Sequence, residues 1–209
     1  MKRKLKLHQV VRKLKDKKMN LFTPLEFKRV FDVSDWACQW FIKSHTKEGD
    51  FIKLRKGLYA LTDYPPSHYF IANRLYEPSY ISFDAALSFY GIIPETIYAI
   101  TSATPKTTRE YESANIRFVY HKLKKGTYAG YKATKHQDNT ILIAEPEKAL
   151  ADYLYFIELK KRDFSYERID LSKIKKSKLK TYVKLFQRPK MNKLIEKLYA
   201  QRRHNQRTY

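Results

Sequence analysis

Residues 7–62 place three helical periodicities in a row, followed by a two-stranded pattern folded on a single glycine. That order restricts the fold more than any other feature of the chain. In LHQVVRKLK, Leu7, Val10, Val11 and Leu14 recur at i, i+3, i+4 and i+7, one face of a helix. Thr23-Pro24-Leu25-Glu26 combines a capping box with proline at the first helical position, and Phe27, Val30 and Phe31 continue an apolar face. Ser34 is an N-cap for a third helix running from about Asp35 to His45 and ending before Gly49. In FIKLRKGLYAL, Phe51–Leu54 and Leu58–Leu61 are strand-like, and Gly57 supplies the positive φ of a tight turn. Arg55 and Lys56 at its tip leave a charged finger with little apolar surface of its own to bury.

Helix, helix, helix, hairpin in this length is the order of a winged helix-turn-helix, here spanning residues 1–64. In such a domain the third helix enters the DNA major groove and the hairpin lies beside it. At 100° per residue, Ala37, Trp40, Phe41 and Ser44 fall on one side of the third helix, with Cys38 and His45 at its edge. Asp35, Gln39 and Lys43 fall on the other side and are the base-reading candidates, since Gln suits adenine and Lys guanine. Trp36, at the boundary, reads as core, and Cys38 as a small buried residue. Lys53, Arg55 and Lys56 are the backbone-gripping candidates.

Charge agrees with a polyanionic partner. The 209 residues carry a formal net charge of +22. Residues 1–64 hold 16 Lys and Arg against 7 Asp and Glu, residues 65–157 hold 10 against 9, and residues 158–209 hold 17 against 5. The excess therefore sits at the two ends. A single cysteine rules out a disulfide framework or a cysteine metal cluster. The basic N-terminus lacks the apolar run of a signal peptide, and no stretch approaches the 18 apolar residues of a membrane span, so a cytoplasmic location is expected.

Tyr64-Pro65-Pro66-Ser67 marks a boundary. Residues 65–209 read as a mixed α/β domain, which makes the expected fold class α+β. SFDAALSFYGI is a short helix with Ser82 as N-cap and Gly91 as stop. Residues 96–104, 116–123 and 139–146 are strands, and EPEKALADYLYFIEL is a helix entered at Pro146. The basic segment 160–209 carries two apolar stripes, Leu171 to Phe186 and Met191 to Tyr199, which predict packed helices with the lysines on their far face.

Catalytic patterns are scarce. The five glycines form no phosphate-binding fingerprint, so no cofactor is expected, and the six histidines are scattered without metal spacing. Asp138, Glu145, Glu147 and Lys148 come nearest to a nuclease set, but Pro146 interrupts them and helix capping accounts for the two glutamates. No catalytic residue and no metal ligand is assigned. In TPKTTREY (104–111), Lys106 and Arg109 are further candidates for a nucleic-acid backbone, in what reads as a solvated loop.

Three stretches, RKGLYAL, YEPSYISFDAALSFYGIIPE and EPEKALADYLYF, together resemble the AbiEi-type antitoxins and their transcriptional-regulator relatives over roughly residues 20–160. The resemblance implies a winged helix joined to an α/β antitoxin domain and repression of its own operon through inverted repeats. It also implies neutralisation of a nucleotidyltransferase-like toxin encoded beside it, without a stable complex: the type IV arrangement. Two other readings compete. With 17 Tyr and 12 Phe among many lysines, the chain also suits an RNA-binding or ribosome-associated protein. A metal-dependent nuclease is the weaker alternative.

Overall fold

Caps decide where the first helices begin. The Thr23 hydroxyl accepts from the Glu26 amide at 3.2 Å, and Glu26 Oε2 accepts from the Thr23 amide at 2.7 Å, so the capping box forms in full. The Ser34 hydroxyl accepts from the Ala37 amide at 3.3 Å. A computed structural model describes residues 5–94, 97–113, 115–159 and 169–205. Its first elements are α1 (Leu7–Asp16), β1 (Leu21–Phe22), α2 (Pro24–Phe31), α3 (Asp35–Glu48), β2 (Phe51–Arg55) and β3 (Leu58–Leu61). Helix α3 runs one turn further than its sequence pattern indicates and stops at Gly49, which takes φ +91°. Gly57 turns the hairpin at φ +78°.

The chain then adds α4 (His68–Leu75), β4 (Tyr80–Ile81), α5 (Phe83–Phe89), β5 (Ala99–Thr104), β6 (Arg109–Ser113), β7 (Ile116–Lys122), β8 (Tyr131–His136), β9 (Asn139–Ala144), α6 (Pro146–Glu158), α7 (Lys176–Lys184) and α8 (Pro189–Asn205). The fold class is α+β. The small sheet is antiparallel in the order β1-β3-β2. The large sheet is mixed, in the order β6-β7-β5-β4-β9-β8, with β5/β7 and β4/β9 parallel. The three strands expected in this region form. The two polar edge strands, β6 and β8, and the two-residue β4 are additional.

Successive strand residues point to opposite faces, and the small sheet uses both. Phe22, Phe51 and Leu61 join Val10, Leu14, Phe27, Phe41 and Ile42 in one core. Leu21, Leu54, Leu58 and Ala60 join the larger core built on Ile71, Leu75, Tyr80 and Phe118. The hairpin is therefore no bare finger: Leu58 is fully buried and Leu54 nearly so, each stabilising by roughly 1.5–3 kcal/mol. Arg74 reaches across to Glu26 at 2.8 Å, and Asp138 meets both Tyr64 and Lys18.

Two further expectations change. Ser82 precedes α5, but its hydroxyl does not cap the helix; it donates to Asp152 instead. Trp36 and Trp40 lie outside the core. The buried side of α3 is Cys38, Phe41 and Ile42, one residue further round than the periodicity indicates, because α2 and β2 close on that side, with Phe41 packed on Phe27 and Phe51. The apolar stripes of the basic segment do pack: Leu179, Val183, Met191 and Ile195 are buried in the larger core. Residues 160–168 and 206–209 of that segment lie outside the described residues.

Candidate nucleic-acid interface

Asp35, Gln39 and Lys43 stand one turn apart on α3, and all three are exposed. Asp35 opens the helix, where the dipole favours an anion, and its Oδ1 accepts from Lys28 Nζ of α2 at 2.8 Å. Gln39 and Lys43 follow with their polar ends in solvent.

On the hairpin, alternation turns Leu54 inward and Lys53 and Arg55 outward, with a register irregularity between the two cations. Lys56 completes the tip, and Arg55 Nη1 donates to the Lys56 carbonyl at 3.1 Å. All three cations are exposed.

Lys106 and Arg109 are held in a way the sequence does not indicate. Arg109 begins an edge strand rather than lying in a loop. Both cations sit over the Tyr76 ring, Lys106 Nζ at 5.6 Å and Arg109 at 5.9 Å from its centroid. The Tyr76 ring packs on Tyr120 at 5.2 Å and on Tyr111 at 6.0 Å. Burial pushes the Tyr120 hydroxyl well above the ordinary tyrosine range, while the positive charge of Arg55 opposes that shift. Helix α3 presents a separate exposed face, on which Gln39 and Lys43 stand beside Trp36 and Trp40.

The basic C-terminal helices are partly neutralised from within. Lys176 and Lys180 hold Glu196 at 2.9 and 2.8 Å, and these ion pairs, Lys180 first, pull its carboxyl down to about 2. Lys178 pairs with Glu145 at 3.0 Å. Lys184, Lys190, Lys193 and Lys197 are exposed.

Of the carboxylates nearest to a nuclease pattern, Glu145 and Glu147 share the Lys178 ammonium, at 3.0 and 3.7 Å, while Asp138 lies apart. Asp138 faces Tyr64 and Lys18. Glu145 accepts from Tyr182 and Lys178, and Glu147 from the Lys175 amide. Lys148 turns inward to a cluster unforeseen from the sequence. It is fully buried against Asp152, whose carboxylate also accepts from Ser82 and Tyr80. Burial pushes the Asp152 carboxyl up, and the Lys148 ammonium opposes it. The available signal was the apolar run around the pair: Ala149, Leu150, Ala151 and Leu154 make α6 apolar nearly all round, so its charges are buried with it. Among the described residues, His45, Glu48 and Asp50 form one group with metal-ligand atoms within 4.8 Å of one another, closing the last turn of α3 against β2. No described helix is long and apolar enough to cross a membrane.

No family model matches the chain, and no curated protein does. Among solved structures, it is similar to the RV2827C protein from Mycobacterium tuberculosis at 14% identity, with a TM-score of 0.47, over 91% of this chain and 80% of that one.

Proposed function

We propose that the protein is a sequence-specific duplex-DNA-binding repressor of its own promoter. One observation carries the reading. An exposed face of α3, with Gln39 and Lys43 beside Trp36 and Trp40, stands next in the chain to a cationic hairpin tip, in the element order helix, strand, helix, helix, hairpin over a β1-β3-β2 sheet. This order supports reading residues 1–64 as a winged helix-turn-helix DNA-binding domain and residues 65–209 as the domain it is joined to. Gln39 and Lys43 read bases, with Asp35 at the helix start. Lys53, Arg55 and Lys56 grip the backbone, and Lys106 and Arg109 extend that grip beyond the hairpin. Phosphate contacts fix position, whereas base contacts carry the sequence information.

The resemblance to AbiEi-type proteins adds the antitoxin role, a nucleotidyltransferase-like toxin as functional partner, inverted repeats as operator and a cytoplasmic location. The test is binding of the full chain to its promoter duplex, to a scrambled duplex and to RNA of the promoter sequence, across a salt series. Preference for the promoter duplex is expected, with log affinity falling by about 0.9 per log unit of salt for each phosphate neutralised. Equal affinity for all three, or preference for the RNA, overturns the reading in favour of a general or RNA-directed binder. For the antitoxin role, co-expression with the neighbouring gene product should restore growth, and failure to do so removes that part alone.

A further inference from the structure

The proposed DNA contacts leave unused an exposed apolar surface on α3. Trp36 and Trp40 are the chain's two tryptophans, and they are 75% and 58% exposed. Their rings are within 17° of parallel, with centroids 6.5 Å apart, as suits side chains four apart on one helix face. They line a groove of about 770 Å³ whose other wall is α1 and whose end is the turn between α2 and α3. Between the walls the lining is mostly apolar, with Leu5, Val33, Ala37, Phe31 and Phe41, and Gln9 and Ser34 add polar atoms. The rim carries Lys6, Arg12 and Lys13 against Asp16 and Asp32. Lys13 Nζ is anchored to the Val30 carbonyl at 2.8 Å and lies over the Phe31 ring, so the groove keeps a fixed edge.

Exposed apolar surface framed by charge marks an interaction site, and the chemistry selects the occupant. A second copy would bring its own Lys6, Arg12 and Lys13 to the same rim, in residues 1–64 with their 16 cationic against 7 acidic residues. An amphipathic helix with an acidic outer face satisfies both parts, its apolar side in the groove and its carboxylates on the rim cations. We propose that the groove between α1 and α3 docks an acidic amphipathic helix of a partner protein. Trp36 and Trp40 share the exposed face of α3 with Gln39 and Lys43. A helix seated there blocks the approach of α3 to bases, so docking and promoter binding exclude each other. This exclusion rests on the DNA-facing reading of α3; the docking does not.

Because both tryptophans line the groove, intrinsic tryptophan emission of the full chain reports on it alone. The probe is an amphipathic peptide of about 18 residues, long enough to hold a helix, with Leu on one face, Glu on the other and no aromatic residue. One control exchanges Glu for Lys; the second keeps the composition and scrambles the two faces. A saturable blue shift and protection from acrylamide quenching are expected with the Glu peptide and with neither control. A Trp36→Ala, Trp40→Ala double variant, checked for folding by circular dichroism, should bind labelled Glu peptide at least tenfold more weakly. Docking is overturned if the Glu peptide does not saturate, if either control matches it, or if the folded double variant binds as the parent does. A shift produced by oligonucleotide and not by peptide overturns it in favour of nucleic acid. Self-association that requires the two tryptophans overturns it in favour of a second copy. If the peptide docks and a bound promoter duplex stays bound, the exclusion alone falls. If the chain binds no promoter at all, the DNA reading fails and the docking stands.

Discussion

The cluster around Lys148 and the exposed face of α3 use similar side chains in opposite surroundings. At Lys148 an ammonium, a carboxylate and two hydroxyls meet where neither Lys148 nor Asp152 has any exposed side-chain surface. On α3, Gln39 and Lys43 extend into water. Buried charges need every partner supplied from within, so they hold elements together. Here they fasten α6 to β4 and to the start of α5. Exposed groups stabilise little and remain available to bind. The EPEKALAD motif is the richest in chemistry along the chain, yet its side chains are committed to packing, while the plainer α3 sequence is left open.

Removing one member of the buried pair gives the sharpest contrast. Lys148→Met should cost about 3–5 kcal/mol, because Asp152 is then a buried carboxylate without its counter-ion. Lys148→Met combined with Asp152→Leu should recover much of that loss, as volume and polarity become compatible again. Urea midpoints measure both. A Lys148→Met protein as stable as the parent breaks the comparison, since the pair would then hold nothing.

Gly130 tests the same region through its backbone. It takes φ +76°, and a Cβ there would lie 2.5 Å from the Tyr182 ring and 3.0 Å from Lys148 Cγ. Gly130→Ala should therefore cost about 1–3 kcal/mol by unfavourable backbone and contact together. An unchanged midpoint would mean that the α7 contact yields freely.

The cap at Thr23 predicts a smaller effect. Thr23→Ala should lose about 1 kcal/mol, since the Glu26 amide loses its acceptor. By contrast Gln39→Ala should stay within about 0.5 kcal/mol of the parent, as exposed substitutions do. Equal losses at the two positions would mean that α3 buries the face assigned to binding.

The smallest effect is in acid. Hydrogen bonds from Tyr182 and then Lys178 hold the Glu145 carboxyl below its ordinary 4.5, against the opposing effect of burial. A carboxyl lowered on folding contributes stability above its unfolded pKa and loses it as pH falls through the folded value. The stability gap between the parent and Glu145→Gln should therefore be widest at neutral pH and close below 4.5. A gap that is constant with pH would assign Glu145 a packing role only.

Most of the N-terminal order was legible because its signals are local. The capping box at Thr23, Ser34 as N-cap, Gly49 as stop and Gly57 as turn each act within a few residues. What escaped depends on distant contacts. Leu21 and Phe22 are too short a run to read as a strand, and only pairing with Tyr59 and Ala60 makes them one. Strands β6 and β8 lie at sheet edges, where polar side chains are tolerated and hydrophobic alternation fades. Ser67, placed in a boundary with Pro65 and Pro66, caps α4 through the Phe70 amide. The faces of α3 turned by one residue because its aromatics surround the helix, and the packing of α2 and β2 decides which of them are covered. Gln39 and Lys43 were exposed under either phase, whereas Trp36 and Trp40 were not.

Sequence reading and backbone grip should separate by variant. Gln39→Ala or Lys43→Ala is expected to weaken promoter binding by about 1–3 kcal/mol and to leave scrambled duplex nearly unaffected. Arg55→Ala with Lys56→Ala is expected to weaken both duplexes alike and to reduce the salt slope by about one per lost contact. The deciding measurement is the affinity of these variants for promoter and scrambled duplex across a salt series. The account predicts lost specificity from α3 and lost general affinity from the hairpin. Promoter binding left intact by all of them would contradict it.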